Sequence, residues 1–240
     1  MNYNNLIQVC SDIHLERNDI SNISKIITPN AEILVLAGDI GNPMTSIYNN
    51  FLNYYSKLFK IIFIITGNHE YYENTIIDTD KKIEEICNSY NNIQFMNNKI
   101  FRYEGILFIG TTLWSSIPEY YTIYNQLSSM NDFKLIKDFT LEEYRKLFIN
   151  NVKFIKDNLE ENSIIITHHA PSMKCIAEEY KYDKVNCCFA SDLDELFMNE
   201  KVIGWIYGHT HNNLSFISEK KFLYSNCYRT TDYNKSGTII

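Results

Sequence analysis

All six histidines of this 240-residue chain, His14, His69, His168, His169, His209 and His211, fall in short polar clusters that close apolar runs. Asp12, Asp39 and Asn68 lie in the same clusters. A lone histidine is more often a hydrogen-bonded core or surface residue than a ligand. Six at equivalent positions, beside two carboxylates and an amide, make that ordinary explanation hard to sustain. Imidazole nitrogen, carboxylate and amide oxygen together suit borderline divalent ions, and one shared carboxylate holds two such ions about 3.5 to 4 Å apart. No cysteine set stands near them, which argues against a structural zinc site.

Something must carry these residues to one place. The clusters end five segments: LIQVCSDIH (6–14), EILVLAGD (32–39), IIFIITGNHE (61–70), SIIITHHAP (163–171) and VIGWIYGHTH (202–211). Consecutive β-branched and apolar residues over such lengths predict strands buried on both faces. Residues 20–28, 45–60 and 75–90 have helical character, so the chain is expected to open as βαβαβ with a parallel sheet. In such sheets ligands bind beyond the carboxyl ends of the strands, where the clusters would converge.

After residue 92, IQFMNN, KIFRYEG and ILFIGTTLW suggest a strand series with a turn at Glu104 and Gly105, and LSFISEKKFLYSN a hairpin. Residues 117–137 lack periodicity and are expected to form a loop or lid, with Asn131 and Asp132 on the substrate-side wall. Residues 141–159 fit an amphipathic helix. The stretch EEYKYDK (178–184) is expected to be a solvated loop.

Composition bounds the function classes. Hydrophobic residues make up 45% and charged ones 21%, which suits a globular chain, and the length suits one large α/β domain, taken as residues 1–240. The formal charge of −7, without a basic cluster, disfavours a dedicated nucleic-acid binder without excluding one. MNYNNLIQVC has no basic region leading into an apolar one, and Ile61–Ile65 is too short to span a bilayer. A soluble protein without membrane partners is expected. Six cysteines without a CxxC pair suit reduced thiols in the cytoplasm or another reducing intracellular compartment.

The blocks Asp12-x-His14, Gly38-Asp39, Gly67-Asn68-His69-Glu70, His168 and Gly208-His209-x-His211, in that order, resemble the signature of the calcineurin-like metallophosphoesterase superfamily. THHAPS (167–172), FASDLDEL (189–196) and GILFIGTTLW (105–114) are similar to a bacterial-type subgroup. One departure is SNCYRTTDY (225–233), where Cys227 stands at a proline position and leaves the local loop geometry open.

The resemblance implies an α/β fold, a four-layer α/β/β/α sandwich of two mixed sheets flanked by helices. It implies two divalent ions, Mn, Fe or Zn. Asp12, His14, Asp39 and His211 would hold one, and Asp39 would bridge to the second, completed by Asn68, His168 and His209. The implied reaction is hydrolysis of a small phosphomonoester or phosphodiester by a metal-activated hydroxide, drawn to a site that stays positive although the chain is acidic. His69, not needed as a ligand, would contact a phosphoryl oxygen or protonate the leaving group. Asn68 would also touch substrate. His169 is open between a supporting hydrogen bond and a substrate contact, Glu70 is expected to brace the GNHE turn, and Tyr71 and Tyr72 to pack or, as the alternative, to line the mouth.

Two other functions compete. A nuclease would use the same centre. A non-catalytic interaction module on this fold would be expected to have lost ligands, and here each one is present.

Overall fold

The computed structural model describes residues 6–17, 20, 22–124, 126–218 and 220–239. The reading of the amino-terminal segment as free of a leader falls partly on residues 1–5, outside the described residues.

The apolar runs form strands. In one sheet, Ile7–Cys10 (β1), Ile33–Ala37 (β2), Ile61–Ile65 (β3) and Ile93–Phe95 (β4) run parallel, and Thr238–Ile239 (β11) lies antiparallel to β1. A second sheet holds Lys99–Tyr103 (β5), Ile106–Thr111 (β6), Ser163–Thr167 (β7), Val202–Tyr207 (β8), Phe216–Ile217 (β9) and Phe222–Ser225 (β10), in the order β5-β6-β7-β8-β10-β9. Strands β6, β7, β8 and β10 are parallel and both edges antiparallel. Glu104 and Gly105 turn the β5–β6 hairpin with φ of 48° and 80°, the left-handed pair that suits a two-residue connection.

Alternation along each strand assigns its two faces. Val9, Val35, Phe63 and Ile65 meet Phe108, Ile164, Ile166 and Ile206 in the core between the sheets. Leu34, Leu36, Ile62 and Ile64 point the other way, onto the helices Ser46–Tyr55 (α1) and Ile76–Cys87 (α2). On the far side Ile109, Ile165 and Trp205 pack with Leu141–Asn158 (α4) and Asp194–Phe197 (α5); the short helix Asp132–Leu135 (α3) lies between. The result is the four-layer α/β/β/α sandwich. Thr140 and Glu143 close a capping box at the start of α4, satisfying orphan backbone donors there.

The first connection differs from the expected βαβαβ start. Among the described residues of 20–28, only Ile23–Lys25 forms a regular element, a single 3₁₀ turn in place of the expected helix. Ile23, Ile26, Ile27 and Thr28 are β-branched, Asn22 draws the Ser24 amide onto its side chain, and Pro29 biases Thr28 toward extended backbone. Among the described residues, no helix is long and apolar enough to cross a membrane.

Candidate metal centre

The loops leaving β1, β2, β3, β7 and β8 meet at one edge where the two sheets face each other. Five of their residues take the left-handed backbone: Asp12 (φ 55°), His14 (53°), Asp39 (53°), His209 (67°) and His211 (48°). That conformation costs an L-residue roughly 1 to 2 kcal/mol, and such strain gathers at functional sites. Cross-loop bonds hold it in place. The Asp12 amide donates to the Gly38 carbonyl, the His14 amide to Asp39, and the His209 amide to both oxygens of Asp12 at 3.1 and 3.2 Å.

Two clusters of donors result. In the first, Asp12, His14 and His211 converge, with the Nε2 atoms of the two imidazoles 3.4 Å apart and His211 Nε2 3.3 Å from Asp12 Oδ1. The second brings together Asp39, His168 and His209, all buried. Asp39 stands between them. Its Oδ2 lies 3.7 Å from His14 Nε2 and its Oδ1 3.4 Å from His168 Nε2, while the His69 amide also donates to Oδ1.

Several atoms in this centre lack partners. His168 donates Nδ1–H to the Ala37 carbonyl at 2.8 Å, so its lone pair sits on Nε2, which is buried with no hydrogen-bond partner among the described residues. Asn68 gives its amide nitrogen to Asp132 (2.8 Å) and Tyr72 (3.0 Å), and its Oδ1 is likewise buried and unsatisfied. His209 donates through Nε2 to the Cys188 carbonyl, which leaves Nδ1 as its basic nitrogen. Buried acceptors are costly to leave unmet, and these suit divalent ions. Backbone approaches just as closely: a Cβ on Gly67 would come within 2.1 Å of Asp39 Oδ1 and 2.7 Å of His168 Nε2, and one on Gly38 within 2.3 Å of the His168 ring.

The electrostatics fit the donor types. Burial works against ionised Asp12 and Asp39, yet His211 and His168 hold the first carboxyl, and His168 and His69 the second, below the usual carboxylate range. Burial, reinforced by His168, pushes His209 down to about 3, so it is a neutral imidazole. Asp39 pushes His168 up to about 10 although burial opposes it. In a protein without metal a proton there does what a cation would do.

The calcineurin-like phosphoesterase family model matches residues 6–213, the span that holds every one of these residues. The chain belongs to the calcineurin-like phosphoesterase family. It is 33% identical over 245 aligned positions to an uncharacterised protein of Acanthamoeba polyphaga mimivirus, covering 88% of this chain and 86% of that one. Among solved structures it resembles the phosphopantetheinyl hydrolase PptH of Mycobacterium tuberculosis, with a TM-score of 0.74 and 13% identity over 98% of this chain and 95% of the other. As a member of this family the chain is a metal-dependent phosphoric ester hydrolase, and its clustered His and Asp residues suit a dimetal site.

His69 stands beside the clusters. A quarter of its side chain is exposed, its ring lies 4.3 Å from that of Tyr72, and its Nε2 is 3.9 Å from Asp39 Oδ2. Glu16, which sequence reasoning missed, accepts from Nδ1 of both His14 (3.0 Å) and His69 (3.2 Å). The spacing Asp12-x-His14-x-Glu16 was the available signal, a third metal-competent side chain in the same short polar cluster.

Glu70 braces the turn from beneath. Its carboxylate accepts from the amides of Asp39 (3.0 Å), Ile40 (2.6 Å), Gly41 (3.3 Å) and Gly67 (2.7 Å), tying the β2 loop to the β3 loop. Burial and Asp39 push its carboxyl up to about 7, and the Ile40 and Gly67 amides act in the opposite direction. Glu70→Ala would strand these donors in a buried site. It is expected to cost about 3 kcal/mol of stability in urea unfolding at neutral pH; a loss under 1 kcal/mol would show that the turn holds itself.

Three further expectations can be set beside the geometry. His169 is fully buried, its ring centroid 4.1 Å from that of His209 and 5.4 Å from that of Trp114, and it lines neither pocket at the centre, so the structure does not bring it to a substrate. The described residues of 117–137 are loop apart from α3, as expected, and they are anchored. Leu127, Met130 and Ile136 join a core with Trp114, Phe139 and Tyr144, and Arg145 ties down the carbonyls of Ile117, Pro118 and Tyr121. Asn131 and Asp132 do line the cleft, with Tyr72. Residues 178–184 are exposed throughout, as expected of a solvated loop, and Tyr180 and Asp183 also line a pocket beside His209. At the proline position, Cys227 uses the N–H that proline lacks, donating to Asn213 at 2.6 Å.

Proposed function

We propose that this chain, acting as one domain across residues 1–240, hydrolyses a phosphomonoester or phosphodiester at a pair of divalent ions. Asp12, His14, Asp39 and His211 would hold one ion, and Asp39, Asn68, His168 and His209 the other. The observation that carries this reading is Asp39, a buried carboxylate whose two oxygens face the two imidazole clusters separately. When bound, two such ions, manganese, iron or zinc, supply the Lewis acidity that acidifies water for attack at phosphorus and offsets charge on the phosphoryl oxygens.

The chain's own residues do the rest. Asn68 turns its oxygen inward because Asp132 and Tyr72 engage its nitrogen. Neutral His169 packs on His209 and supports that ring, a role in place of the substrate contact. Burial pulls His69 down, but in the protein without metal Asp39 and Glu16 push it up to about 9, and its place beside the clusters suits it to give a proton to the leaving-group oxygen. Glu16 fixes the Nδ1 side of the ring and leaves Nε2 to donate.

No lysine or arginine lines the pockets at the centre among the described residues, which counts against a nucleic-acid track. The six cysteines are free and five are buried, in keeping with a reducing intracellular compartment. The test is hydrolysis of p-nitrophenyl phosphate and its bis ester after loading with Mn²⁺, Fe²⁺ or Zn²⁺ in turn. Turnover that a chelator abolishes and one of these ions restores is expected. Turnover unaffected by the chelator, or none with any ion, would overturn the reading.

A further inference from the structure

The cleft at the metal centre continues into a second space. One pocket, lined by Asp39, Asn68, His69, Tyr72 and Asp132, is where a phosphoryl group would sit. Beyond it lies an annex of about 280 Å³, and the two share Phe189, His209 and His211. That volume is close to the lower end of ordinary small-molecule pockets, roughly 300 Å³.

The annex is built mainly from Ile176, Ala177, Tyr180, Val185 and Phe189. Two of its polar side chains are engaged by their own loop. Asp183 Oδ1 accepts the Val185 amide at 3.0 Å, and Asn186 donates to the Tyr180 carbonyl at 2.6 Å. The wall is also fastened to the centre: Phe189 stacks on His209 with centroids 4.8 Å apart, and the Cys188 carbonyl receives the His209 Nε2 proton. A group bonded to a phosphate held between the clusters therefore has this apolar space beside it.

We propose that the annex receives the organic group of the ester, and that this group is uncharged and largely apolar, an aryl or branched alkyl. The inference rests on the phosphoesterase reading above. Charge narrows the class. Asp183 adds a carboxylate to the wall, and among the described residues no lysine or arginine in the lining would pair a second phosphate or a carboxylate, which would be desolvated without compensation. Nucleotide and sugar bisphosphate esters are thereby disfavoured.

The test uses the metal-loaded enzyme with 1-naphthyl phosphate and O-phosphotyrosine, two aryl esters of which only the second carries further charges, and with acetyl phosphate, whose organic group is too small to fill the annex. The wild type is expected to favour 1-naphthyl phosphate over O-phosphotyrosine by tenfold or more in kcat/KM. Ala177→Trp, which fills the annex without replacing a proposed ligand, should cut kcat/KM for 1-naphthyl phosphate at least tenfold, mainly through KM. It should leave acetyl phosphate within threefold, which reports an intact centre; Ala177→Asp, adding charge instead of bulk, should act in the same direction. Equal or better use of O-phosphotyrosine by the wild type would overturn the inference alone, as would Ala177→Trp leaving 1-naphthyl phosphate untouched. Absence of turnover with every ester and ion would overturn the phosphoesterase reading and this inference with it.

Discussion

Asp39→Asn should lose at least one of its two metal ions and about 10³-fold or more in turnover, with its far-UV circular dichroism unchanged. The side chain is 1% exposed, so the substitution keeps its volume and little else needs to move. It changes the donor set. One carboxylate oxygen becomes an N–H₂ group, which then points a proton either at the His14 side or at the His168 side. It also removes a full negative charge from between two cations, and several kcal/mol of lost charge stabilisation corresponds to the stated rate loss. Elemental analysis beside p-nitrophenyl phosphate turnover reads both effects. A variant that kept both ions and full activity would show that Asp39 does not bridge.

His69→Ala should behave differently, losing about 10² to 10⁴ in turnover while keeping its metal content. The structure makes this a real choice, because His14, Glu16 and His69 also lie close enough to form a third cluster of donors. If His69 were a ligand, its removal would lower the metal content along with the rate. If it is the proton donor, the ions stay and the loss should be greatest for esters with poor leaving groups, which depend most on protonation. Near-normal turnover in the metal-loaded variant would remove His69 from the mechanism.

The metal-ligand candidates were legible in the sequence because strand geometry does the sorting. A run buried on both faces has nowhere to put a histidine or aspartate until it ends, so Asp12, Asp39, Asn68, His168 and His209 stand out against β1, β2, β3, β7 and β8. Their left-handed backbone was also foreshadowed by type, since Asp, Asn and His tolerate that region better than most residues. The four-layer architecture came from the resemblance, and alternation along the strands explains it.

What escaped notice depends on contacts across the chain. Asp132 was expected on the cleft wall, but its hydrogen bond to Asn68, a partner 64 positions away, was not. Glu16 reads as an ordinary acidic residue after a strand until His69 is folded onto it. The annex wall at Tyr180 and Asp183 is charged and tyrosine-rich, which in sequence suggests solvent; both are exposed, and their place beside His209 appears only in the fold. In residues 20–28, isoleucine spacing mimicked a helix, but β-branching and the Asn22 side-chain bond favoured a single turn.

The central claim is a pair of ions sharing Asp39, and crystals of the wild-type protein loaded with Mn²⁺ test it directly through anomalous scattering at the manganese edge. Two peaks about 3.5 to 4 Å apart are expected, one among Asp12, His14 and His211, the other among Asn68, His168 and His209, with the Asp39 carboxylate between them. A single peak, or a second one held by Glu16 and His69, would contradict the account.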